Sequence, residues 1–121
     1  RPREFENRAI AALLPLIRRT GCRTHIVHLS SSEALTILEQ AHDEGLPLSA
    51  ETCPHYLSLC AEDVPSGATW FKCAPPIRER ENNEQLWRAL QSGRLAFVVS
   101  DHSPCTPSLK HMERGDFAQA W

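Results

Sequence analysis

The chain has 121 residues, with 41% hydrophobic and 23% charged side chains and a formal net charge of -2. That length builds one modest core, so it is one domain or part of one. The near-neutral charge leaves no basic stripe for nucleic acid and no polybasic tail for a membrane, and no apolar run approaches the roughly 20 residues that cross a bilayer. Residues 1–7 are polar and charged, unlike a secretory signal. The sequence opens without Met and stops at Trp121, so both ends are expected to be cut. Five cysteines, an odd number with no C-x-x-C pair, argue against a disulfide scaffold or a zinc knuckle and for reduced thiols in a cytoplasmic setting.

In chain order, residues 3–19 read as a helix. Ile10, Leu13, Leu14 and Ile17 make one apolar face, Pro15 should kink it, and Gly21 is placed to cap it. Residues 23–29 (RTHIVHL) read as a short strand. Ser30 with Glu33 forms an S-x-x-E pattern expected to open a second helix, which runs to Gly45. Residues 46–52 (LPLSAET) are a second strand, and a polar loop with Pro54, Pro65 and Gly67 follows, holding a turn of helix near 61–64. Residues 70–74 (WFKCA) are a third strand candidate, ended by Pro75 and Pro76. A helix over 81–91 carries Leu86, Trp87 and Leu90. Residues 94–100 (RLAFVVS) are the fourth and most apolar strand, with Asp101 at its end.

Strands alternating with helices make the fold class α/β, built from parallel βα units. In a barrel of such units all strand C-termini lie on one face, where chemistry collects. His28 ends the first strand, His55 follows the second, Cys73 lies near the end of the third, and Asp101 ends the fourth. Each alone fits a structural role. Together, two imidazoles and a carboxylate in one mouth suit a borderline divalent metal such as zinc. His25, three residues before His28, points to the other face of its strand.

The strings HIVHLSS (25–31), ETCPHYL (51–57), KCAPPIRE (72–79) and SDHSPC (100–105) resemble the cyclic amidohydrolases, which act on dihydroorotate, on dihydropyrimidines or hydantoins, or on allantoin. CPHY, KCAPPIR and SDHSPC most resemble the allantoin-hydrolysing branch. The resemblance implies the second half, about strands 5 to 8, of a TIM-type (β/α)8 barrel, with 1–121 a partial barrel domain. It implies hydrolysis of a small cyclic amide, allantoin before dihydroorotate or dihydropyrimidines, by a homo-oligomeric enzyme with a binuclear zinc site. An inert truncated piece is the third alternative. His28, His55 and Asp101 match metal ligands of the family, and Asp101 also its proton carrier. The remaining ligands, an H-x-H pair and a carboxylated lysine, have no match here, so the chain alone is expected to be inactive. Cys73, Ala74, Ser103 and Pro104 are expected to contact substrate, the first two through their backbone.

Overall fold

The protein is described by a computed structural model covering residues 2–121. Arg1, the first residue of the polar opening stretch, lies outside the described residues. The expected long first helix is two helices, α1 (Arg3–Ala11) and α2 (Leu14–Thr20). Pro15 has no N–H to offer the carbonyl four residues back and its ring crowds that carbonyl, so the chain breaks at 12–13 and Pro15 falls in the first turn of α2. Gly21 closes α2 with φ 67°.

Strand β1 (Thr24–Ile26) leads through a 3-10 turn (Ser32–Ala34) into α3 (Leu35–Asp43), and β2 (Leu48–Thr52) follows. The S-x-x-E cap does not form. Ser31, not Ser30, is the residue before the 3-10 turn, and it makes no side-chain cap. The Ser30 and Ser31 N–H groups instead donate to Glu6 of α1, and Glu33 turns outward to Arg3 and Asn7. A local motif has yielded to partners more than twenty residues away.

The loop after β2 is more ordered than its composition suggests. It begins with α4 (Pro54–Ser58), with Pro54 in the first turn, where its missing N–H costs nothing. Two 3-10 turns follow at Ala61–Asp63 and Thr69–Phe71. The second overturns the strand expected at 70–74. The N–H groups of Phe71 and Lys72 bond back to Ala68 and Thr69, which leaves no extended backbone for a ladder. Trp70 is about half exposed and Pro75 and Pro76 have no donor, so the segment crosses the surface as irregular chain. Helix α5 (Arg80–Gln91) and β3 (Phe97–Val98) complete the core, and a 3-10 turn (Pro107–Lys110) lies in the C-terminal loop.

The three strands form one parallel sheet in the order β1-β2-β3, with Thr24 opposite Leu48 and Thr52 opposite Val98. Ala50, Ile26 and Leu48 pack against Leu35, Leu38, Leu86 and Ala89 of α3 and α5, with Leu29, Tyr56 and Leu95 closing the layer. That layer buries apolar surface at about 25 cal/mol per Å² and is the main force holding helices to sheet. On the opposite face Phe97 is 49% exposed, and Val27 just beyond β1 is equally so. All five cysteines are free thiols. Among the described residues no helix is long and apolar enough to cross a membrane.

Candidate active site

Because the strands are parallel, their C-terminal ends open on one side. His28 follows β1 by two residues, Cys53 follows β2 directly and leads into α4, and Asp101 follows β3 by three residues. His28 and Asp101 share an uncommon backbone: both lie in the left-handed region, φ 44° and 46°. For a residue with a Cβ this conformation is strained, and it persists where surrounding contacts over-determine it, often at functional sites.

The three expected ligands are electrostatic neighbours. Partial burial holds the His55 imidazole below its ordinary pKa; the Asp101 carboxylate opposes that shift and the His28 ring adds to it. His55 lies in the first turn of α4, with its ring edge-on to Tyr56 at 4.2 Å between centroids. His28 and His55 are half-buried, and Asp101 is exposed. As donors, two imidazoles and a carboxylate fit a borderline divalent ion. Among the described residues, however, no three His, Cys, Asp or Glu side chains are gathered closely enough to hold one. The donor chemistry fits a metal, and the set is incomplete.

His25 is accounted for elsewhere. Its Nδ1 lies 2.8 Å from Ser49 Oγ and its Nε2 3.0 Å from Glu51, and its ring stacks on Phe97 at 5.4 Å. The other expected contacts are less assembled. Cys73 stands at no strand end, its half-buried thiol is pushed up in pKa by burial, and Ala74 beside it is exposed. A cleft of about 850 Å³ reaches Ala74 and Pro75 from Phe5 of α1 and from Val27 and His28 just after β1. A second, of about 570 Å³, reaches Cys73 and Ala74 from Phe117 and Trp121. The 73–76 segment is thus the wall between two cavities. Ser103 and Pro104 sit in an exposed loop beyond Asp101 and line neither.

Sequence reasoning passed over Tyr56 and Arg78, although both lie inside the motif strings. Tyr56 is 2% exposed and donates from its hydroxyl to the Pro75 carbonyl at 2.7 Å, tying α4 to the wall between the cavities. Arg78, 7% exposed, pairs with Glu6 and donates from Nε to Ser30 Oγ. A basic residue in an apolar context is the signal that could have found it, since such a group is buried only when paired.

No family profile matches the chain. It is 50% identical over its whole length to the mitochondrial allantoinase of Aquarana catesbeiana, covering 25% of that protein, and 53% identical to the allantoinase of Streptomyces avermitilis, covering 26%. Among solved structures, the L-hydantoinase (dihydropyrimidinase) of Arthrobacter aurescens superposes on 99% of this chain with a TM-score of 0.90 at 33% identity, using 27% of its own length. A D-hydantoinase gives 0.88 at 31% identity, again over 27% of its length. The chain therefore spans about a quarter of the relatives it matches; by sequence it is homologous to that portion of the allantoinases, and by structure it has the α/β architecture of the matching portion of the hydantoinases.

Proposed function

We propose that these residues form part of the catalytic barrel of a metal-dependent cyclic amidohydrolase that opens allantoin to allantoate. What supports this is the position of His28 and Asp101 just beyond the C-terminal ends of parallel strands, with His55 in the helix that follows a third, in a chain half identical to allantoinases along its whole length. Residues 1–121 are read as a part of one barrel domain. Three strands stand where four were expected. The reading keeps them in the second half of the barrel, about strands 5 to 8, with the expected third of the four not formed as a strand.

In this reading His28 and Asp101 donate to a divalent metal, zinc first, from backbone held at the strand ends, and His55 is the third candidate donor. Such a metal, when bound, lowers the pKa of water and polarises the amide carbonyl. Asp101 accepts the proton of the attacking water and returns it to the leaving ring nitrogen. Depressed in pKa, His55 is neutral near pH 7 and free to donate a lone pair or a hydrogen bond. The backbone of Cys73 and Ala74 faces the ring amide, with Ser103 and Pro104 on the opposite loop. The five unbridged thiols support a reducing, cytoplasmic setting, although one relative is named mitochondrial.

The hydantoinase neighbours favour a dihydropyrimidine or hydantoin as the second reading. Identity of 50% against 31–33% ranks allantoin first. Assaying the complete polypeptide that carries this segment on allantoin, dihydroorotate, dihydrouracil and hydantoin decides between them. Preferred turnover of any substrate but allantoin overturns the assignment. Metal analysis tests the ligands: His28→Asn and Asp101→Asn lower bound metal, while His25→Asn, whose ring is already engaged by Ser49 and Glu51, leaves it unchanged. Loss of metal in His25→Asn but not in His28→Asn would show that the wrong imidazole has been chosen.

A further inference from the structure

The turn that follows His28 is held in an unusually complete way. Leu29 N–H donates to the Glu51 carbonyl at 2.9 Å, and the Leu29 carbonyl accepts from Thr52 Oγ1 at 2.7 Å. Both oxygens of Glu6 receive backbone N–H groups, from Ser30 at 2.7 Å and Ser31 at 3.1 Å. The Asn82 side chain accepts from Ser32 N–H at 2.8 Å and donates to the Ser30 carbonyl at 2.9 Å. Ser30 Oγ accepts from Arg78 Nε and donates to the Pro76 carbonyl, each at 3.0 Å. Ser30 and Ser31 are fully buried, and Asn82 is 1% exposed. Every backbone N–H from Leu29 to Ser32 is therefore bonded to a residue distant in sequence.

Glu6 lies 3.5 Å from Arg78, with both side chains 13% exposed or less. A buried ion pair repays its desolvation only with good geometry and further hydrogen bonds. Here Glu6 bonds the turn after His28 directly, and Arg78 bonds Ser30 Oγ, which in turn donates to the Pro76 carbonyl on the wall between the cavities. The pair thus links α1, the strand end that carries His28, and the segment expected to meet substrate.

We propose that Glu6 and Arg78 are positioning residues that hold His28 in its left-handed conformation and keep it in register with the 73–76 segment. This rests on the reading of His28 as a metal ligand. A left-handed residue with a Cβ is disfavoured relative to the right-handed form, because its Cβ crowds the following carbonyl oxygen. Cutting the bonds that hold the next two residues lets the backbone at His28 relax and moves the imidazole. Glu6→Gln keeps the side chain's size but places an NH2 where one backbone N–H now donates, and it removes the charge facing Arg78. Partners that orient a ligand in this way are worth about 10–100-fold in metal affinity.

The test compares Glu6→Gln and Arg78→Lys with the parent and with Glu44→Gln in the complete polypeptide. Glu44→Gln removes a surface pair to Arg18 far from the site and is the structural control. Zinc affinity is measured by chelator competition, the ligand field from the absorption spectrum of the cobalt-substituted protein, and Tm alongside. The expected result is a 10–100-fold weaker zinc Kd and an altered cobalt spectrum in Glu6→Gln. Arg78→Lys, which keeps the charge but loses the fixed Nε donor, shows a smaller change in the same direction, and Glu6→Asp recovers part of the loss. Should Glu6→Gln fail to fold, Arg78→Lys carries the comparison. A lowered Tm with parental zinc Kd and cobalt spectrum in both variants overturns the proposal and leaves the network purely structural. His28→Asn is run beside them: if it too keeps the parental zinc Kd, the ligand assignment itself has failed.

Discussion

At His28 and Asp101 the main chain leaves a parallel strand and turns into the left-handed region, and the chemistry proposed here depends on where those turns point the side chains. Asp101 is exposed, and Asn at the same position would keep its size but offer a weak ligand and no carboxylate. Asp101→Asn in the complete enzyme is expected to lower kcat by about 100-fold or more, in line with the loss of a general base. Steady-state assay on allantoin checks it, and kcat within a few-fold of the parent would remove Asp101 from the proton path. The thiols give a second residue-level prediction. Burial pushes the Cys53 thiol up to about 11, so it stays protonated and inert at neutral pH, while Cys22 is exposed. Titration with a disulfide reagent at pH 8 is expected to modify Cys22 first and Cys53 only after denaturation. Mass mapping of the modified peptides reads the order directly.

At the scale of elements, helix propensity and apolar spacing located most segments, and long-range partners adjusted them. Helix α5 has the boundaries its pattern suggested to within one residue, because Leu86 and Ala89 form an apolar stripe that the sheet covers. Leu86 has no exposed surface. Leu86→Ala is expected to destabilise the fold by about 2–5 kcal/mol, the range for a buried leucine whose cavity cannot collapse. Urea unfolding of the complete enzyme measures it, and a loss under about 1 kcal/mol would mean that α5 does not anchor this core. The segment at 70–74 is the counter-case. Its apolar and aromatic residues satisfy a strand pattern, yet its backbone N–H groups are taken by a 3-10 turn and Lys110 Nζ donates to the Lys72 carbonyl. The turn's acceptors, Ala68 and Thr69, lie just upstream of the pattern that suggested the strand, and Lys110 lies far beyond it.

For the whole molecule, the open sheet face and free strand edges dominate. Phe97 and Val98 of β3 and Val27 just after β1 are exposed, and the outer strands β1 and β3 leave unpaired edges that recruit other chains. The 121 residues produced alone are expected to self-associate, to bind zinc weakly and to show no allantoin hydrolysis, since the donor set is incomplete and a loosely held site does not organise the reacting groups. Sedimentation velocity, zinc analysis after dialysis and an allantoate assay with added zinc, cobalt or manganese check the three parts. Metal-dependent turnover by a monomer, lost in Asp101→Asn, would show that this segment suffices.

The sequence by itself determined the α/β class, the parallel βα order, the helix at α5, the break near Pro15, the glycine that closes α2 and the residue types at the strand ends. All of these follow from short-range periodicity, backbone constraints and motif spacing, which a linear string records. Only the tertiary structure decided that the helix after Ser30 is capped by Glu6 and Asn82 rather than by its own serine, that residues 70–74 are not a strand, and that Arg78 is buried. It also decided that the His25 ring is engaged by Ser49 and Glu51. Apart from 70–74, where a local 3-10 turn takes the N–H groups, each is a competition between a local partner and a distant one for the same N–H, carbonyl or charge. The distant partner wins where packing brings it within about 3 Å and excludes the water that would otherwise satisfy the group.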